Sequence, residues 1–268
     1  MSQITISLLY LLAAVAFATS RLPSLAPRSL LLISTAIGST IIGLGFHAEL
    51  LYSVIIQAGG LNLSIASAAS LIGLQLALIG LLGVIEPKLR GMSAGLLALA
   101  AFAAFGFGAH SEAGIVTPLT WQIQAHILIS MFAYGLLTTG AIVAVYALLL
   151  DRRLRSGRFA SGNPLFAPLE TTEKMLFGVA AAGFGGLVLA VVSGFAFVDN
   201  LFAQHLVHKT VLSLLALVLF GVLLGGRLVA GWRGRRAVYL YLWGFGILCL
   251  GYFGSRLILE ALLGKSWG

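Results

Sequence analysis

The side chains of this chain that could do chemistry are few and unevenly placed. His47 and Glu49 sit two apart in one long apolar run, and His126 opens another. In "DNLFAQHLVHKTVLSLLALVLFG", residues 199–221, His205 and His208 stand three apart with Lys209 following, at the mouth of a third run. Arg256 and Glu260 lie four apart near the C-terminus. Ionisable groups are costly in apolar surroundings, and there they mark ligand sites, ion pathways or buried pairs. The three-residue spacing puts His205 and His208 on one helical face, which suits a metal. A metal site would want further ligands, and the nearby links offer little beyond Asp199 and Glu112. Arg256 and Glu260 have the spacing of a pair along one helix, Lys209 can snorkel to headgroups, and His47 alone can be a packed histidine bonded to a carbonyl. Nothing resembles a nucleophile–base pair, a phosphate loop or paired catalytic carboxylates, so no enzymatic activity is expected.

The elements that must position these groups follow from composition. Of 268 residues, 60% are hydrophobic and 9% charged, and the mean hydropathy is +1.06. A soluble core cannot use that much apolar surface; the composition is that of a polytopic membrane protein. About 20 mostly apolar residues cross the hydrocarbon as a helix. Eight such runs are read, about 3–20, 30–57, 64–85, 92–108, 121–150, 171–198, 207–228 and 237–262, the second and fifth long enough to project beyond the bilayer. The expected fold is all-α, a membrane helical bundle of eight spans forming one domain over residues 1–268. Glycine pairs such as Gly91/Gly95 and Gly221/Gly225 suit close helix packing in lipid.

The formal charge of +8 is not a nucleic-acid footprint, because it lies in alternate links. Arg21 and Arg28 are in the first link and Lys88 and Arg90 in the third. Arg152, Arg153, Arg155 and Arg158 are in the fifth, and Arg227, Arg233, Arg235 and Arg236 in the seventh. Positive links face the cytoplasm, so both termini are expected on the outer, periplasmic side. The first run lacks a basic n-region, which reads as an anchor rather than a cleaved leader. The single Cys249 lies inside an apolar run and there is no Cys-x-x-Cys-His, so neither a disulfide framework nor covalent haem attachment is expected.

That orientation gathers His47, Glu49, His126, His205, His208, Lys209, Arg256 and Glu260 in the outer half of the membrane. The one-sided set fits haem better than a hydrolytic metal. Haem is largely apolar, its iron accepts imidazoles from separate helices, and its propionates need cations. His126 and His208 open separate helices on one side, His205 could substitute, His47 lies lower in the membrane, and Lys209 and Arg256 could hold propionates. The expected cofactor is non-covalent haem b, with membrane lipid as the surrounding partner. Two other functions share the residues: a transporter or its accessory, using His47, Glu49, Arg256 and Glu260 as a polar pathway, and a regulatory scaffold without a ligand.

Several segments carry a family likeness. "WQIQAHILISMFAYGLLTTGAIVAVYALLL" resembles the "HV…YA" span of the cytochrome c assembly family, the CcsA/CcmC haem-handling proteins. "GGLNLSIASAASLIG" resembles its "H-x-P-L-S-N-x-Y-E-S-L" segment. "LETTEKMLFGVAAAGFGGLVLAVVSGFAF" resembles its "L-D-x-x-x-Y-R…G-F…L-T-x-G-x-x-x-G" helix, and "GWRGRRAVYLYLWGFGILCLGYFG" its "GW-x-G-x-x-A…GF" ending. The likeness spans roughly residues 50–262. "HLVHKTVLS" and "YFGSRLILE" resemble the eight-span YpjD-type branch, with HemX-type proteins more distant. The resemblance implies a bacterial inner-membrane protein that handles haem in cytochrome c assembly, with other inner-membrane proteins as partners and His126 as one family haem ligand. The family's tryptophan-rich outer loop is here "LFAQHLVHKTV", and the second outer histidine is replaced by "GKSWG". Complete cytochrome c synthase activity is therefore not expected.

Overall fold

The computed structural model describes residues 3–57, 60–61, 65–107, 120–155, 167–197 and 207–251. Apolar runs become helices here because a backbone in lipid has no water to bond and must satisfy its own N–H and C=O groups. The helices are α1 (Gln3–Thr19), α2 (Ser29–Ile55), α3 (Ile65–Gly80), the short α4 (Leu82–Ile85), α5 (Arg90–Phe107), α6 (Trp121–Arg155), α7 (Leu169–Phe197), α8 (Val207–Ala230) and α9 (Gly234–Cys249). Two-residue strands, β1 (Ile56–Gln57) and β2 (Gly60–Leu61), pair antiparallel between α2 and α3. Among the described residues six helical stretches are long and apolar enough to cross a membrane, and α1 adds a 17-residue apolar helix. Some hydroxyls within the spans are satisfied by their own helix: Thr40, Thr138 and Thr139 each donate to the carbonyl four residues back. Large apolar side chains such as Leu8, Val15, Ile85, Val192 and Trp243 lie on the surface, as lipid-facing residues do.

The chain divides into two compact units, Met1–Thr120 with Leu150–Lys174, and Trp121–Leu149 with Met175–Gly268. In the first unit α1 packs on α2 and α5, and α3 on α5 and α2. Its core holds Ile6, Tyr10, Phe17, Ala36, Leu97 and Ala100. Ser7 donates to the Ala101 carbonyl at 3.0 Å. At one end Arg21, from the link after α1, donates to the carbonyls of Lys88 and Pro87 at 2.9 and 3.3 Å, so the first and third links meet.

The second unit is an up-and-down ring of helices. Gly183 and Gly186 of α7 face Leu137 and Ala133 of α6. Arg227 of α8 lies over the Phe177 ring of α7, and Phe184 of α7 sits against Gly221 of α8. Phe220 of α8 meets Tyr241 of α9 edge-on at 5.1 Å. Tyr241 donates to the Leu137 carbonyl at 2.9 Å, and Tyr134 of α6 donates to the Leu248 carbonyl. Each helix is antiparallel to the next, so α6 and α8 begin at the same end. Close approaches fall at Gly73, against Ala103, and at Gly183 and Gly186, and of the paired glycines expected from sequence Gly221 has the Phe184 ring in ordinary contact. A Cβ at Gly95 or Gly225 would meet nothing within 4 Å.

Candidate functional site

The end of the second unit where α6 and α8 begin and α7 ends carries His126, His208 and Lys209. His126 is the sixth residue of α6, roughly 7.5 Å along the axis from Trp121 at 1.5 Å per residue. Trp121 pairs with Phe197, the last residue of α7, at 6.2 Å between ring centroids. This places an amphipathic ring where the helix leaves the apolar layer, as aromatic belts do. His126 Nδ1 is 2.9 Å from Ser193 Oγ, and Ser193 donates to the Ala190 carbonyl at 3.0 Å. His208 is the second residue of α8. Its Nε2 is buried and has no hydrogen-bond partner among the described residues. Lys209 is half-buried beside it. The antiparallel order therefore brings His126 and His208 to one end of one unit, as the sequence expects. His205, Arg256 and Glu260 lie outside the described residues, as do His110, Glu112 and Asp199. Among the described residues no three His, Cys, Asp or Glu side chains gather as a metal site.

His47 belongs to the first unit and is fully buried. Its Nδ1 meets the Tyr10 hydroxyl at 3.2 Å and its Nε2 the Ser70 hydroxyl at 2.9 Å. Both ring nitrogens are used, so neither is left to coordinate iron without breaking a bond. Glu49 is exposed on the opposite side of α2, because two residues turn a helix by about 200°. These two side chains do not line one pathway. Sequence reasoning missed Tyr10, Ser70 and Ser193. A usable signal was present for the last: a serine–glycine pair deep in an otherwise apolar helix that must pass the histidine of α6.

A family model for the cytochrome C assembly protein matches residues 39–263. This chain belongs to the cytochrome c assembly protein family. The family match takes in α3 to α9 and most of α2, and leaves α1 before it. The chain is 32% identical over 238 residues to the inner membrane protein YpjD of Escherichia coli K12, covering 85% of this chain and 87% of that protein. An uncharacterized 28.8 kDa protein of Azospirillum brasilense is 32% identical over 149 residues, 55% of each chain. The cytochrome c biogenesis protein CcsA of Synechococcus elongatus is 25% identical over 100 residues, 37% of this chain and 31% of that one. No solved structure matches the chain. Family membership and the apolar helices together make this a multi-pass membrane protein.

Proposed function

We propose that this protein holds haem b non-covalently in the bacterial inner membrane as part of cytochrome c assembly or haem handling. The site is the end of the second unit where α6 and α8 begin. His126 and His208 are the iron's imidazole ligands, with His205 as a substitute, and Lys209 and Arg256 serve the propionates. Haem supplies an iron that accepts two neutral imidazoles; the residues of this chain orient it and keep it in an apolar setting.

One observation carries the reading. His208 Nε2 is buried without a partner among the described residues, at the end of the unit that also holds His126. Leaving such a nitrogen unsatisfied costs about 1–3 kcal/mol, and coordination to a metal would remove that cost. The kinship with a cytochrome c biogenesis protein supports a role in cytochrome c assembly. His47 is left out of the ligand set because hydroxyls occupy both its nitrogens. The tryptophan-rich loop of the resembling family is replaced in this chain, which favours holding or transferring haem over presenting it to an apocytochrome. The partners are then lipid, haem and other inner-membrane assembly proteins, and the protein is not itself an enzyme.

The test is an absorption spectrum of the protein purified in detergent. A Soret band is expected, reduced in His126→Ala and in His208→Ala and unchanged in His47→Ala wherever that variant folds. A colourless protein that cannot be reconstituted with haem would overturn the reading.

A further inference from the structure

We infer that Ser193 and Gly194 of α7 are positioning residues that seat the His126 imidazole and hold it with its proton on Nδ1 and its lone pair on Nε2. The argument begins with the serine. A hydroxyl has one proton and two lone pairs. Ser193 Oγ is 3.0 Å from the Ala190 carbonyl, to which it donates, and 2.9 Å from His126 Nδ1. A carbonyl can only accept. With the hydroxyl proton directed to Ala190, the remaining contact is a hydrogen bond only if Nδ1 carries a proton and donates to Oγ. The opposite arrangement turns the hydroxyl toward an Nδ1 lone pair and gives up the Ala190 bond, so one hydrogen bond forms where two can. In an apolar interior, a chain of two bonds that polarise each other is favoured over one.

The glycine makes the approach possible. A Cβ at position 194 would lie 3.1 Å from His126 Cε1 and 3.7 Å from Nδ1, tighter than an ordinary contact at the first atom. The ring therefore rests against bare backbone beside the hydroxyl that orients it. Ser193 alone would be satisfied by its bond to Ala190, a common arrangement for serine in apolar helices. Helix packing by itself does not require a histidine opposite it. Fixing one ring nitrogen as a donor to an oxygen, so that the other can coordinate, is how proteins prepare an imidazole for a metal.

The inference deepens the haem reading by naming the nitrogen that would bind, but the tautomer stands or falls without haem. The experiment uses the full chain in lipid nanodiscs, haem-free, with ¹⁵N in the histidine rings and His126 assigned by its absence in His126→Gln. At a pH where the ring is neutral, wild type and Ser193→Thr should show the Nδ1–H tautomer, since threonine keeps the hydroxyl within reach of the same carbonyl. Ser193→Ala should show a mixture or the Nε2–H form. In haem titrations Ser193→Ala should bind about tenfold more weakly, and Ser193→Thr within about twofold of wild type. An Nε2–H ring in wild type, or a ring unmoved by Ser193→Ala, overturns the inference even if haem binds. A ring that follows Ser193 in a protein that never takes haem upholds it and removes the haem reading instead. Should Ser193→Ala not fold, the wild-type tautomer decides.

Discussion

Three histidines of one residue type have three different fates here. His47 has a hydroxyl on each ring nitrogen, His126 is held through Nδ1, and His208 has a buried Nε2 with no partner among the described residues. Tyrosine and serine hydroxyls can each donate or accept, so His47 is satisfied in either neutral tautomer. Replacing Tyr10 by Phe removes one partner and leaves a fully buried nitrogen unpaired. Such losses inside membrane proteins amount to about 1 kcal/mol. Tyr10→Phe should therefore lower the thermal midpoint of the detergent-solubilised protein while leaving any haem spectrum intact; an unchanged midpoint would show that the bond contributes nothing. From sequence, His47 and Glu49 looked like two members of one polar set. The 100° turn per residue sends one inward and the other out. Which hydroxyl reaches His47 could not be read, because Tyr10 and Ser70 lie 37 and 23 residues away along the chain.

At the scale of elements, the helix ends were legible because they follow from charge and turn residues. The starts at Trp121 and Val207 fall where the apolar runs were read to begin. The break between α3 and α4 at Leu81 was not legible, since no glycine or proline marks residue 81 itself. The turn from α8 to α9 shows what sequence leaves open even where its position is plain. Trp232 folds back on α8, its N–H donating to the Gly226 carbonyl at 3.1 Å. Its own carbonyl accepts from Arg227 at 3.3 Å, and Arg236 lies 4.1 Å over its ring. Gly231 and Gly234 make this fold possible at φ +62° each. A Cβ on Gly231 would touch nothing within 4 Å, so Gly231→Ala isolates the backbone cost, about 1–2 kcal/mol for a left-handed residue. That variant should melt earlier, whereas Gly225→Ala, equally uncrowded but inside a helix, should match or slightly exceed wild type. Equal melting of the two variants would mean that the turn relaxes without strain.

For the whole molecule, the alternation of basic links carries a prediction about sidedness. With Cys249 replaced by Ala, single cysteines at Thr120 and Arg153 should label differently with a membrane-impermeant maleimide in intact spheroplasts. Thr120, beside the Trp121 end of α6, should react at once, and Arg153 only after permeabilisation. The reverse pattern would turn the His126 end toward the cytoplasm and with it the proposed haem site.

The sequence by itself determined that this is a membrane protein of helices and roughly where those helices lie, and it carries an expectation of which links share a side. Those properties are sums over long stretches: hydrocarbon thickness sets the length of a span, and net basic charge sets its direction. The family likeness was legible for the same reason, being spread over most of the chain. Only the tertiary structure decided which polar side chains meet. Hydrogen bonds act over about 3 Å, and the rotation of a helix about its axis, set by packing at places such as Gly183 and Gly186, chooses their partners. That rotation brings Ser193 to His126 and leaves Nε2 of His208 without a partner among the described residues.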